Sequence, residues 1–250
     1  MLDRYIAQRT LKKVRPSEQS YDTSQALASS QLYNEHADRL AVVFAPWHGS
    51  GLYGRRFVKR LVKSGSAVLD LEFHDNLLEA NAPRVIASFA SSSNEIINEL
   101  KAVNSRHNYQ ALDFISVSLG TVVMVLVSEK VTDFTSVTMV VPGSSLARGV
   151  WQGQATQNIR DSLEQQGYTE ESLDEEWQSL RPSEHVACFT GKPVHVVTSL
   201  TDQIVPPQLQ QEMVDDLRMA GANVTVNTSN LGHYAAAARY YLFDKLSGQA

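Results

Sequence analysis

One cysteine, Cys188, stands in the 250 residues of the chain. That count excludes an internal disulfide, and it excludes a zinc site built from three or four thiolates. A thiol-poor chain suits a reducing compartment, so a cytoplasmic location is expected. Charge of one sign is also missing. Twenty-two Lys and Arg against 27 Asp and Glu leave a net charge of −5 at pH 7, and no global field draws the chain to nucleic acid or anionic lipid. Long hydrophobic runs are missing as well. A membrane-spanning helix needs about 20 apolar residues, and runs such as AVVFAPW are far shorter. The opening stretch MLDRYIAQRTLKKVRPSEQ carries Arg4, Arg9, Lys12, Lys13 and Arg15 with no apolar run behind them, so no secretory signal is expected. It reads as a helix with a solvated basic face and Leu2, Ile6 and Leu11 on its apolar side, packed on the domain rather than lying on a membrane. Repeats at solenoid periods and low-complexity tracts are absent too.

What is present is an ordinary globular balance, 43% hydrophobic and 20% charged, in a length that suits one α/β domain with a large core. Candidate strands are Leu40–Ala45, Ala67–Phe73, Ala111–Val117, Ser136–Val141, Val194–Ser199 and Asn223–Asn227, most of them nearly continuous apolar runs, as expected of parallel strands covered on both faces. Helical patterns alternate with them at Arg55–Lys63, Pro83–Val103, Leu119–Glu129, Pro206–Ala220 and Tyr234–Leu246. Such alternation predicts a mostly parallel sheet wrapped by helices. Residues 1–35 read as an N-terminal extension of this single domain. From 143 to 182 the rhythm breaks, with two short helical patterns and no strand. The first stops at Gly167, a C-cap residue; the second opens at Thr169 with Glu170 and Glu171 behind it, presents Leu173, Trp177 and Leu180, and ends before Pro182. A helical lid over a site is the expectation, since long excursions in compact domains are often functional.

The sharpest chemical signal is FISVSLGTVV, from Phe114 to Val123. An apolar strand enters Ser116-Val117-Ser118-Leu119-Gly120 and a helical pattern follows at once, the setting in which a serine nucleophile sits on a tight elbow. The turn brings backbones close together, so the positions two before and two after the nucleophile must be small, as Ser116 and Gly120 are. The Leu119 N–H would face a developing oxyanion, aided by the positive end of the helix. Three further segments present polar groups at strand ends. VVFAPWHGSG ends in His48-Gly49-Ser50-Gly51, VHVVTSLTDQIVPP presents Asp202, and NVTVNTSNLGHYAAAA ends in Gly232-His233 before the last helix.

Together these segments resemble the α/β-hydrolase superfamily over roughly Leu40 to Leu246, with serine replacing the first glycine of the usual G-x-S-x-G elbow. The resemblance implies an α/β-hydrolase fold with Ser118 as nucleophile, Asp202 as triad acid and His233 as base, in the superfamily's Ser…Asp…His order. It also implies that the HG pair opens an oxyanion loop, with the Ser50 N–H as partner to that of Leu119. His48 is then a structural loop residue. A serine needs such help: an imidazole to take its proton and a carboxylate to fix the imidazole's tautomer.

Each residue has a plainer reading too. Ser118 could be a helix N-cap, Asp202 a turn residue with Asp75 as substitute acid, and His233 an ordinary surface histidine. His36, His74, His107, His185 and His195 lack paired metal-ligand spacing, so no metal is expected. Gly49-Ser50-Gly51-Leu52-Tyr53-Gly54 spells G-x-G-x-x-G, with Glu72 near the end of the next strand, as in nicotinamide-dinucleotide sites. However, Pro46-Trp47-His48 separates the strand from the glycines. The stripe Arg55, Arg56, Lys59, Arg60 and Lys63 lacks interleaved exposed aromatics, so nucleic acid is not an expected partner. The expected function is hydrolysis of a carboxylic ester or thioester of modest size, without cofactor, on a small-molecule acyl substrate. Trp47, Leu52, Tyr53 and Trp151 are the expected acyl-pocket residues. A non-catalytic binding protein of the same fold is the alternative, ahead of a nicotinamide enzyme.

Overall fold

The computed structural model describes residues 27–244. The basic helix expected before residue 20 lies outside them, as does the end of the last expected helix. In chain order the strands are β1 (Leu27–Tyr33), β2 (Arg39–Phe44), β3 (Ala67–Phe73), β4 (Ala111–Val117), β5 (Ser136–Val140), β6 (Pro193–Ser199) and β7 (Asn223–Ser229). They pair in the order β1-β3-β2-β4-β5-β6-β7. Every pairing is parallel except β1 with β3, which is antiparallel. The α-helices are α1 (Gly51–Lys63), α2 (Ala82–His107), α3 (Gly120–Ser128), α4 (Leu146–Gln152), α5 (Gln157–Gln165), α6 (Glu170–Glu176), α7 (Pro207–Met219) and α8 (His233–Phe243).

The apolar runs follow from burial on both sides of the sheet. Leu40, Val42 and Phe44 of β2 join Phe89, Ile96, Met124 and Leu217 from α2, α3 and α7 on one face. Ala41 and Val43 meet Phe57, Leu61, Ala236 and Tyr240 from α1 and α8 on the other. A strand buried on both faces needs apolar residues at successive positions, which erases the period-two alternation of a one-sided sheet.

β1 corrects the expected boundary of the N-terminal extension, because residues 27–33 belong to the sheet. The segment reads LASSQLY and its residues are half-buried or exposed. An antiparallel edge strand buries little, so it carries no apolar run by which to recognise it.

Between β5 and β6 there is no strand, as expected. α4, α5, α6 and three 3-10 turns fill this insertion, the last turn running to Phe189, past the expected limit at 182. Gly167 ends α5 with φ of 91°, and the Tyr168 N–H reaches back to the Leu163 carbonyl at 3.1 Å. Thr169 caps α6 by accepting from the Ser172 N–H. The insertion is fastened to the core: Trp177 is fully buried, and its indole N–H donates to the Ala82 carbonyl at 3.1 Å. Among the described residues no helix is long and apolar enough to cross a membrane.

Asp70 interrupts the buried run of β3. Burial, and secondarily the neighbouring Glu72 charge, push its carboxyl up from 3.8 to about 6. The folded-state value lies above the unfolded one, so the folded chain holds the proton more tightly. Stability therefore falls as pH rises from about 4 to about 6 and stays lower above. The loss is at most about 3 kcal/mol. Asp70→Asn is accordingly expected to raise the melting temperature by roughly 3–8 °C at pH 8 and to change it little at pH 4. Thermal melts at the two pH values check this, and an equal gain at both would contradict it.

Candidate active site

The parallel strands point their C-terminal ends to one edge, where β2 is flanked by β3 and β4, strands reached by connections leaving in opposite directions. Sites in open α/β sheets form at such a divide. Ser118 follows β4 with φ of 51°, a left-handed conformation unusual for a residue with a side chain. Two other non-glycine residues at this edge share it, His48 beyond β2 at 66° and Val141 directly after β5 at 47°. Backbone strain of this kind costs roughly 1–3 kcal/mol per residue and gathers at functional sites.

The small residues of the elbow have distinct causes. A Cβ on Gly120 would lie 2.5 Å from the carbonyl oxygens of both Phe44 and Ala45, so only glycine fits there. Ser116, standing where the resembled family has glycine, is buried without penalty because its Oγ pairs with Thr121 Oγ1 at 3.1 Å. The Ser118 N–H is tied to the Val140 carbonyl at 2.9 Å, which fixes the elbow to the neighbouring strand. Gly54 of the G-x-G-x-x-G string has a packing cause as well, since a Cβ there would strike the Ser50 side chain at 1.9 Å.

Asp202 lies beyond β6 and His233 opens α8. His233 Nδ1 meets Asp202 Oδ2 at 2.7 Å, with both side chains almost wholly buried. The Asp202 carboxylate is fully satisfied. Its Oδ1 accepts from the Ile204 and Val205 amides at 2.8 and 3.0 Å, and its Oδ2 accepts from Gln210 Nε2 at 2.9 Å. Such bonds offset the cost of burying the charge. With Nδ1–H donated to Asp202, Nε2 of His233 carries the lone pair of the neutral ring and can take a proton.

Ser118 and His233 line one cavity of about 80 Å³. No hydrogen bond joins them among the described residues; catalytic hydrogen bonds are often long before substrate closes a site. Apolar groups make up most of the wall, among them Leu78, Leu119, Val122, Leu146 and Ile204. The insertion contributes Leu146, Gly149, Val150 and Ala155.

Of the expected pocket residues, Trp47 is in the wall and the others are elsewhere. Leu52 and Tyr53 are exposed on α1, and Trp151 packs against the large core cluster. Ser50 stands at the start of α1 with its Oγ 3.3 Å from the Tyr241 hydroxyl, and it is not part of the wall. The amides of Trp47 and Leu119, both wall residues, donate to no group among the described residues. Asp75 is paired with His48 at 2.7 Å, not with His233. Gln210, buried in the first turns of α7, went unrecognised in the sequence: besides Asp202, its Nε2 reaches the Val205 carbonyl, and its Oε1 accepts from the Ser199 amide. Among the described residues no group of three or more His, Cys, Asp or Glu is placed to hold a metal ion.

The sheet order, the strained serine elbow after β4 and the acid and histidine after β6 and β7 define the α/β-hydrolase fold. Solved structures similar to this chain bear that out. An esterase of Pyrococcus furiosus, Pf2001, superposes with a TM-score of 0.63 at 15% identity over 87% of this chain and 79% of its own. Est1E from Butyrivibrio proteoclasticus gives 0.58 at 12% identity over 85% of this chain and 90% of its own. The acylaminoacyl peptidase of Pyrococcus horikoshii gives 0.60 at 11% identity over 82% of this chain but 36% of its own length. The sequence matches no family model and no curated protein.

Proposed function

We propose that the protein is a serine hydrolase cleaving a carboxylic ester or thioester of modest size through an acyl-enzyme. The observation that carries this reading is the buried Asp202–His233 pair opening into the cavity that Ser118 lines. Ser118 Oγ attacks the acyl carbonyl as His233 Nε2 takes its proton, and the alcohol or thiol leaves with that proton. Water then attacks the acyl-serine, giving its proton to His233, and Ser118 regains a proton as the acid departs. The oxyanion is assigned to the Leu119 amide, at the N-terminal end of α3, and to the Trp47 amide in preference to that of Ser50. Trp47 is in the cavity wall and its backbone N–H meets no acceptor among the described residues, whereas Ser50 stands outside the wall. The helical insertion acts as a cap over the acyl group.

A small apolar cavity favours short acyl chains. On p-nitrophenyl acetate, butyrate and palmitate, kcat/KM is expected to be highest for the two short esters, with an acyl adduct on Ser118 detectable by mass spectrometry after rapid acid quench. A folded protein that turns over none of these esters, nor short acyl thioesters, would favour the non-catalytic binding protein.

A further inference from the structure

A second histidine–carboxylate pair stands at the same cavity, and the proposed reaction has no use for it. His48 Nδ1 meets Asp75 Oδ1 at 2.7 Å, and His48 is a wall residue of the cavity that Ser118 and His233 line. Its ring stacks on Trp47 with centroids 4.2 Å apart. The Trp47 indole N–H donates to the Asp75 carbonyl at 2.9 Å, so one short segment holds both rings. With Nδ1–H committed to Asp75, Nε2 carries the lone pair, and that nitrogen is buried with no hydrogen-bond partner among the described residues. An unmet buried acceptor costs roughly 1–3 kcal/mol. His48 also bears the left-handed φ of 66°, so two costs fall on one residue in the wall of the site.

Resting on the hydrolase reading above, the geometry points to His48 as a specificity-determining residue that accepts a hydrogen bond from the acyl part of the substrate, with Asp75 as its positioning residue. The ligand chemistry follows from the pair's state. An imidazole whose Nδ1–H is held by a carboxylate presents an acceptor at Nε2. It suits a hydroxyl or an amino group near the scissile carbonyl and disfavours a carboxylate there. Hydroxyacyl and aminoacyl esters share that chemistry. A site built around an acceptor discriminates against the analogue that lacks the donor, because the acceptor is then left buried and unpaired.

The test compares kcat/KM for p-nitrophenyl butyrate, 3-hydroxybutyrate and 3-aminobutyrate in wild type, His48→Ala and Asp75→Asn, with fluorophosphonate labelling of Ser118 measured in each. Wild type is expected to favour at least one donor-bearing ester by roughly 10- to 100-fold over butyrate. Which of the two wins separates a hydroxyacyl from an aminoacyl substrate. The preference is expected to fall to about onefold in His48→Ala and to shrink in Asp75→Asn, most for the amino ester. Asp75 has a side chain 67% exposed, so its variant keeps the comparison available should His48→Ala fail to fold. A wild type that labels at Ser118 yet shows no preference, or a preference unchanged in a folded variant, overturns the role of His48 and leaves the hydrolase standing. A wild type that neither labels nor turns over any of the esters removes both.

Discussion

Ser118→Ala is expected to lower kcat by about 10⁵- to 10⁶-fold on any ester the wild type cleaves. The size follows from the arrangement, because every bond change of the proposed reaction passes through Ser118 Oγ. What remains without it is binding and the oxyanion donors, worth roughly 10³-fold over water in comparable triads. The substitution removes one oxygen from a residue whose backbone is held by the Val140 carbonyl, so the melting temperature is expected to stay close to wild type. His233→Ala should cost a similar amount, and the double variant should be no worse than either single one, because serine and histidine act as a unit. Steady-state kinetics on the three proteins check this. A Ser118→Ala variant retaining more than about 1% of wild-type kcat would place the nucleophile elsewhere.

Gly120→Ala is expected to destabilise the fold strongly for the addition of a single methyl group. The new Cβ would sit 2.5 Å from two carbonyl oxygens, those of Phe44 and Ala45, both of which belong to wholly buried residues. Neither is the flexible end of a side chain, so relief requires moving α3 away from the end of β2 at the centre of the sheet. Overpacking against rigid backbone costs upward of about 3 kcal/mol, a large share of the roughly 5–15 kcal/mol that stabilises a domain. The melting temperature should fall by roughly 6–15 °C, or soluble protein should be lost. Gly149→Ala is the matched control, since a Cβ there meets nothing within 4 Å and alanine favours the helix. Thermal melts of the pair decide it. A Gly120→Ala variant that melts with wild type would mean that the elbow is looser than described.

The parts of this architecture legible in the sequence are those with a local cause. Five of the seven strands could be read because burial on both faces forces nearly continuous apolar runs, β7 from valines alternating with polar residues along an edge strand, and the elbow because its steric demands fall on adjacent residues. Ser118, Asp202 and His233 each follow a strand, and only the order of strands brings them to one edge. What could not be read depends on long-range pairing. β1 is an edge strand with too little burial to mark it. Gln210 reaches Asp202 from the next helix, through a contact that leaves no periodic trace. The loop after β2, the proposed oxyanion loop, shows the same limit: Trp47 rather than Ser50 lies in the cavity wall, a placement invisible in the HG string. Asp75 was recognisable as a carboxylate after a strand, but its partner was not, because nothing in sequence spacing links it to His48.

Labelling with a fluorophosphonate, followed by peptide mapping of the adduct, tests most directly whether Ser118 is an activated serine. Wild type is expected to label at Ser118 and nowhere else, and both Ser118→Ala and His233→Ala should lose the adduct while staying folded. Labelling that persists in folded Ser118→Ala, or a folded wild type that never labels even with short, unhindered probes, would contradict the assignment.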